Sequence, residues 1–165
     1  MPKTKLQDLV FTLIMVFVMV YAMVCYNIAI DKGGMSNEIF LLAFGEIVIM
    51  YPIGVIAEFF IVGKLAQKLA FRFVTPGKDS MIMIILAISS MTVCLMCPLM
   101  SFFATLLFKQ PGAELAAAWL EVTARNFPMA LCFQIFYAGP FVRLVFRKGL
   151  AIIKRGETEK AAAER

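Results

Sequence analysis

Four long apolar stretches constrain this chain more than any other feature of its sequence. They lie at about residues 9–30, 38–62, 81–107 and 117–142. A transmembrane helix needs about 20 consecutive, mostly apolar residues, and each stretch satisfies that requirement. Of the 165 residues, 62% are hydrophobic and only 16% are charged, which leaves no room for a separate soluble domain. The sequence therefore predicts an all-α polytopic membrane protein with four transmembrane helices.

The second and fourth stretches are related to each other. Residues 46–63 read EIVIMYPIGVIAEFFIVG, and residues 122–139, which lie 76 positions later, have the similar sequence VTARNFPMALCFQIFYAG. The shift superimposes Pro52 on Pro128, Glu58 on Gln134 and Gly63 on Gly139. We therefore predict two tandem helical hairpins, because each related stretch follows another long apolar one.

The predicted repeats divide one membrane domain, residues 1–165. Repeat one covers about 5–75, repeat two covers about 81–150, and 151–165 forms a polar cytoplasmic tail. Thirteen of the 16 Lys and Arg residues fall at the N-terminus, in the loop after the second stretch, or from Arg143 onward. Basic residues favour the cytoplasmic side, so we expect both termini there, a parallel repeat, and insertion in a bacterial inner membrane.

Polar side chains inside the apolar stretches are the candidate substrate- or ion-binding residues. They are Glu46, Glu58, Glu121, Arg125, Asn126 and Gln134. Intramembrane ionisable residues commonly face the interior of a helix bundle or a wet cavity and mark a transport path. Arg125 can pair with Glu46 or Glu121, but it cannot satisfy both. Glu58 is then left to be protonated, hydrated or paired with a bound cation, unless the whole cluster is a structural polar network.

Prolines interrupt three of the stretches. We expect kinks at Pro52, Pro98 and Pro128, because proline removes one backbone hydrogen bond from a helix.

Cys94 and Cys97 form a CxxC pair inside the third stretch. Its position near the middle of a helix argues against a disulfide oxidoreductase, which must reach a partner outside the membrane. The alternatives are simple packing and Cu(I) binding by these thiols with Met19 and Met23, since soft sulfur ligands suit Cu(I). We expect no cofactor.

Several function classes are excluded or disfavoured. The chain has no histidine, and no phosphate-binding loop or nucleophile motif appears in an aqueous context, so we expect no enzymatic activity. The net charge of +5 follows membrane topology and does not indicate nucleic-acid binding.

Two segments resemble a known family. The segments are NIAIDKGGMSNEIFLLAFGEIVIMYPIGVIAEFFIVGKLAQKL and NFPMALCFQIFYAGPFVRLVFRK. Both are similar to the bacterial hairpin family catalogued as domain of unknown function twenty-seven ninety-eight. The matching positions are Asn27, Pro52, Pro128, Pro140, Val142 and Arg143. The chain departs from the pattern at Lys64, opposite Pro140, and at Phe103, opposite Asn27. The resemblance implies a fold and no particular activity.

From these features we expect a small proton- or cation-coupled transporter of a hydrophobic or cationic compound. The alternatives are a membrane scaffold or sensor subunit that does not transport, and a Cu(I)-binding membrane protein. Four helices enclose little interior, so we also expect a homodimer in the lipid bilayer.

Overall fold

The structure is a computed structural model that describes residues 5–109, 112–149 and 151. Across these residues the chain forms helices and connecting turns, and none of them forms a strand. The predicted tail at 151–165 lies outside the described residues, apart from residue 151.

The four helices expected from the sequence are present, and each is long and apolar enough to cross a membrane. The first helix runs Lys5–Asp31, the second Asn37–Ala70, the third Met81–Lys109 and the fourth Gly112–Gly149. The fourth begins with a short 3-10 turn at Gly112–Glu114. The prediction of an all-α protein with four transmembrane helices is confirmed.

The second and fourth helices extend furthest beyond the apolar stretches that predict them. The second continues beyond Gly63 as an α-helix, Gly63–Ala70, which carries Lys68 in its last turn. The fourth passes through Pro140 and remains helical to Gly149, beyond the stretch 117–142 that predicts it. The fourth helix tolerates Pro140 because the wider turn directly before it already departs from α-helical hydrogen bonding.

That wider turn is a π-helical segment, and it occurs at equivalent places in the two repeats. One segment is Glu58–Val62 and the other is Gln134–Ala138. The offset of 76 positions found in the sequence carries the first segment onto the second. A further π-helical segment, Thr105–Lys109, ends the third helix.

A glycine closes each of the two repeat-related segments. The Gly63 N–H donates to the Glu58 carbonyl oxygen, and the Gly139 N–H donates to the Gln134 carbonyl oxygen, five residues back in each case. A Cβ atom would lie 2.9 Å from that oxygen at Gly63 and 2.8 Å from it at Gly139. The close approach explains why both repeats have glycine here.

The helices pack as two hairpins that also contact each other. The first helix lies along the second, and the third lies along the fourth. Val16, Val20 and Val24 of the first helix are buried against Ile47 and Met50 of the second. Gly54 permits this approach, because a Cβ there would lie 3.2 Å from the methyl groups of Val16 and Val20.

Large apolar side chains cover the outside of the bundle. Leu41, Phe60, Ile82 and Phe136 are all exposed, each by more than two thirds of its surface. Exposed apolar surface on this scale is unfavourable in water and is expected where lipid is the solvent. The outer faces of the helices therefore indicate a membrane protein.

Candidate functional site

A cavity of about 760 Å³ lies between the four helices, and all four contribute to its wall. Small-molecule sites typically have volumes of about 300–1,000 Å³, so this space is large enough for an organic ligand. Its wall is mostly apolar, with a few carboxylate, amide and hydroxyl groups. This combination is typical of a ligand-binding site.

Four of the six residues selected from the sequence line this cavity. They are Glu46, Glu58, Asn126 and Gln134. Glu46 and Glu58 are 12 positions apart, which separates them by about 18 Å along the helix. Within the described part of the chain, neither carboxylate forms an ion pair. The second helix therefore contributes two carboxylates to the cavity that have no cationic partner among the described residues.

Glu121 and Arg125 do not line the cavity. Arg125 Nη1 lies 3.9 Å from Glu121 Oε1, so these residues pair along their own helix, as their four-residue spacing allows. The alternative pairing of Arg125 with Glu46 is wrong for this structure. Successive helical residues turn by about 100°, so Asn126 faces the interior while Arg125 points elsewhere.

Asn126 joins the third and fourth helices. Its Nδ2 donates to Ser101 Oγ at 3.3 Å, and both residues are buried. Its Oδ1 has no hydrogen-bond partner. On the first helix, Asn27 donates to the Met23 carbonyl oxygen at 2.9 Å and also leaves its Oδ1 without a partner. Asn27, Ser101 and Asn126 therefore form a polar section of the wall near Glu46.

A smaller pocket of about 230 Å³ adjoins this section. Asn27 and Glu46 line both spaces, so they lie at the boundary between them. Asp31 and Lys109 line the smaller pocket and form an ion pair, with Lys109 Nζ 3.2 Å from Asp31 Oδ1. Because Asp31 ends the first helix and Lys109 ends the third, this pair links the two hairpins where those helices end.

Charged groups that were not selected from the sequence lie at the other end of the cavity. Asp8 of the first helix and Arg143 and Arg147 of the fourth line it there. Arg143 folds back along its helix, with Nη2 3.6 Å from the position that a Cβ on Gly139 would occupy. The nine-residue spacing from Gln134 would place Arg143 on the opposite face of a regular α-helix. The π-helical segment changes that register, so simple periodicity could not find it.

Methionine side chains form much of the apolar wall. Met15, Met19 and Met23 line it from the first helix, and Met50, Met96 and Met100 line it from the second and third. The four-residue spacing of the first three explains why they share a face. Methionine is flexible and polarizable, so this wall can adapt to ligands of different shapes.

The two cysteines of the CxxC pair have different environments. Cys97 is buried, lines the cavity, and belongs to a cluster against which Met19 and Met23 pack. Cys94 is exposed and does not line the cavity. Among the described residues, no group of three or more His, Cys, Asp or Glu side chains could hold a metal ion. Any soft-metal site would therefore use Cys97 with methionines and would exclude Cys94.

The three prolines predicted to kink their helices all lie inside α-helical stretches. Pro52, Pro98 and Pro128 leave those stretches unbroken. Each is followed six or seven residues later by a π-helical segment. The Pro98 carbonyl oxygen accepts a hydrogen bond from Trp119 Nε1 at 2.8 Å, which fastens the third helix to the fourth.

Comparison with known proteins agrees with the expected family. The sequence profile described as "Domain of unknown function (DUF2798)" matches residues 4–74 and again residues 82–149. Two matched segments are consistent with a tandem repeat. A protein of Bacillus subtilis (strain 168) named "Uncharacterized protein YybC" is 36% identical over 152 residues, which cover 90% of this chain and 94% of the relative. No solved structure matches the chain. With both halves matched, the chain belongs to the DUF2798 family.

Proposed function

We propose that this protein is a small proton- or cation-coupled membrane transporter for a hydrophobic or cationic compound. The observation that carries the proposal is the position of Glu58. Its carboxylate lines a cavity between the four helices and has no ion-pair partner among the described residues. A charge inside a membrane protein is costly, and such residues usually take part in moving ions or substrates.

The repeat adds a second argument for coupling at Glu58. Gln134 occupies the equivalent position, begins the equivalent π-helical segment and lines the same cavity. At this pair of equivalent positions the cavity thus has one titratable side chain where exact symmetry would give two. Glu58 can release a proton when a cation binds and regain it when the cation leaves, whereas Gln134 cannot.

The experiment is a flux measurement in proteoliposomes under an imposed pH gradient. Candidate compounds are added, and proton movement is followed with a trapped pH-sensitive dye. We expect at least one compound to produce proton flux with the parent protein and none to do so with Glu58→Gln. The variant should fold, because glutamine already begins the same kind of segment at Gln134.

Glu121→Gln is the matched control, because its carboxylate lies outside the cavity and its side chain is 76% exposed. This variant should transport like the parent. If no compound moves protons, or if Glu58→Gln and the parent transport equally, proton-coupled transport is wrong. The polar groups of the cavity would then support the alternative of a scaffold or sensor subunit.

The proposal includes a location and an assembly. We place the protein in an inner membrane with both termini in the cytoplasm, since basic residues concentrate on that side. We also propose a homodimer, although all four helices of a single chain already line the cavity. The protein acts without catalysing a reaction.

Cu(I) binding is a second candidate, favoured by one specific observation. Met19 and Met23 pack against the buried cluster that contains Cys97, and all three residues line the cavity. Thioether and thiolate sulfur are the ligands that Cu(I) prefers.

A further inference from the structure

The charges around the cavity are unevenly distributed. Glu46 and Glu58 lie on the second helix, and the basic residues that line the cavity are Arg143 and Arg147. Arg143 folds back towards Gly139, five positions beyond Gln134, so its guanidinium lies about 7.5 Å beyond Gln134 along the fourth helix. Among the described residues, the section of wall between the two glutamates therefore has acidic groups and no basic ones. Such a section attracts cations and repels anions.

The same section is where methionine side chains concentrate. Met50 lies on the second helix between the two glutamates. Met19 lines the cavity from the first helix, and Met96 and Met100 line it from the third. Their thioethers can pack against apolar or aromatic groups of varied shape. Apolar surface of a ligand would therefore be removed from water here.

The size of the cavity distinguishes between kinds of cation. About 760 Å³ is far more space than a bare metal ion occupies and is within the range of cavities that bind organic molecules. A ligand that fills this section must therefore be organic, positively charged and largely apolar.

We propose that the cavity binds a lipophilic organic cation, with its charge beside Glu58 and its apolar body against the methionines. This inference rests on the proposed transport function, because it names the class of compound carried by the same cavity. Glu58 is the partner of the charge because Glu46 lies at the boundary with the smaller pocket, next to Asp31 and Lys109. Glu58 lines the main cavity and does not line the smaller pocket.

Two probes of matched shape and opposite charge test this inference. Tetraphenylphosphonium and tetraphenylborate are added separately to the full-length protein in detergent, and binding is measured by equilibrium dialysis. We expect saturable binding of the phosphonium and none of the borate. Equal binding of both probes would overturn the inference, because it would show partition into apolar surface without recognition of charge.

Two pairs of variants test the named residues. Glu58→Gln should weaken phosphonium binding about tenfold, which is about 1.4 kcal/mol, because it removes the attraction between the carboxylate and the cation, while Glu121→Gln should leave it unchanged. Met96→Ala should also weaken binding, and Met83→Ala should not, because Met83 is exposed outside the cavity. Thermal unfolding of each variant confirms that it is folded.

The outcomes separate this inference from the proposed function. Phosphonium binding that is unaffected by both Glu58→Gln and Met96→Ala would overturn the assignment to this cavity. Proton-coupled flux of a neutral or anionic compound, without phosphonium binding, would overturn the inference and leave coupled transport standing. Phosphonium binding without any coupled flux would leave the inference on the ligand standing and overturn coupled transport.

Discussion

Glu58 and Gln134 occupy equivalent positions in the two repeats but differ in the one property that matters for coupling. Both side chains line the cavity, and both residues begin a π-helical segment. Gln134 is 95% buried, which a neutral amide tolerates far better than an ionised carboxylate would. At this position the second repeat therefore contributes a neutral side chain to the cavity, and the first contributes a side chain that can change charge.

At the same scale, Cys97 and Cys94 offer a direct test of the copper candidate. If the cavity holds Cu(I), the purified protein loaded with Cu(I) should retain it, and Cys97→Ser together with Met19→Leu and Met23→Leu should lose it. Cys94→Ser should keep it, because Cys94 is exposed away from the cavity. Elemental analysis provides the measurement. Retention that depends on Cys94 as strongly as on Cys97, or no retention by the parent, would contradict this candidate.

Individual residues also show where sequence reasoning stops. Glu58 and Gln134 could be selected because polar residues are conspicuous in apolar stretches. The choice of partner for Arg125 could not be made, because two carboxylates were within reach and only the rotation of the fourth helix distinguishes them. The structure places Arg125 beside Glu121. Glu46→Gln should therefore not deprive Arg125 of its partner.

At the scale of single elements, the π-helical segments explain how the ends of the second and fourth helices face the cavity. A segment with hydrogen bonds five residues apart holds one more residue than the α-helical turn it replaces. The helix beyond it is consequently rotated by about 100° relative to a continuous α-helix. Gln67 and Arg143 both lie beyond such a segment, and both line the cavity.

Replacing the glycines that close these segments tests their importance. Gly63→Ala and Gly139→Ala each place a Cβ within 3 Å of a backbone carbonyl oxygen, so we expect each to destabilise the protein by about 1–3 kcal/mol. Thermal unfolding in detergent gives the measurement. Gly45→Ala is the control, because a Cβ there has nothing within 4 Å and alanine favours helix by up to about 1 kcal/mol. Three variants of equal stability would contradict the role given to the π-helical turns.

The existence and order of the four helices could be predicted because their apolar length is unmistakable. Their internal geometry could not. Pro52 and Pro128 are strong local signals and indicated kinks, but the departures from α geometry begin six residues later, at Glu58 and Gln134. No particular amino-acid composition marks a π-helical segment in a sequence. Here the segments depend on how closely Gly63 and Gly139 approach a backbone carbonyl oxygen.

At the scale of the whole molecule, the described part of the chain has four helices long and apolar enough to cross a membrane, and four crossings would put both ends of the chain on the same side. The distribution of Lys and Arg predicts that this side is the cytoplasm. A cytosolic reporter fused after Arg165 should be active, and a periplasmic one should be silent. Reporters inserted at Gly33 or Gly112 should behave in the opposite way. Activity of the periplasmic reporter at the C-terminus would reverse the proposed orientation.

The cavity is the feature of the whole molecule on which the functional account depends. It could not be predicted from sequence, because its wall combines Asp8, Glu58, Ser101 and Arg143 from four different helices. Polar residues on separate helices line the same space only because of how the helices pack, and the sequence does not show that packing. The tandem repeat shows that Glu58 and Gln134 are equivalent positions, but it does not show that both line one cavity.

The most direct measurement is whether water-soluble reagents reach position 58. With Cys25, Cys94, Cys97 and Cys132 replaced by alanine, Glu58→Cys and Phe60→Cys are treated in membranes with a small charged methanethiosulfonate. We expect the thiol at 58 to react, because it lines a cavity with carboxylate, amide and hydroxyl groups in its wall, and the thiol at 60 not to react, because Phe60 is 78% exposed on the outer face. An unreactive thiol at 58, or faster reaction at 60, would contradict the central claim that Glu58 lines a cavity that protons and cations reach.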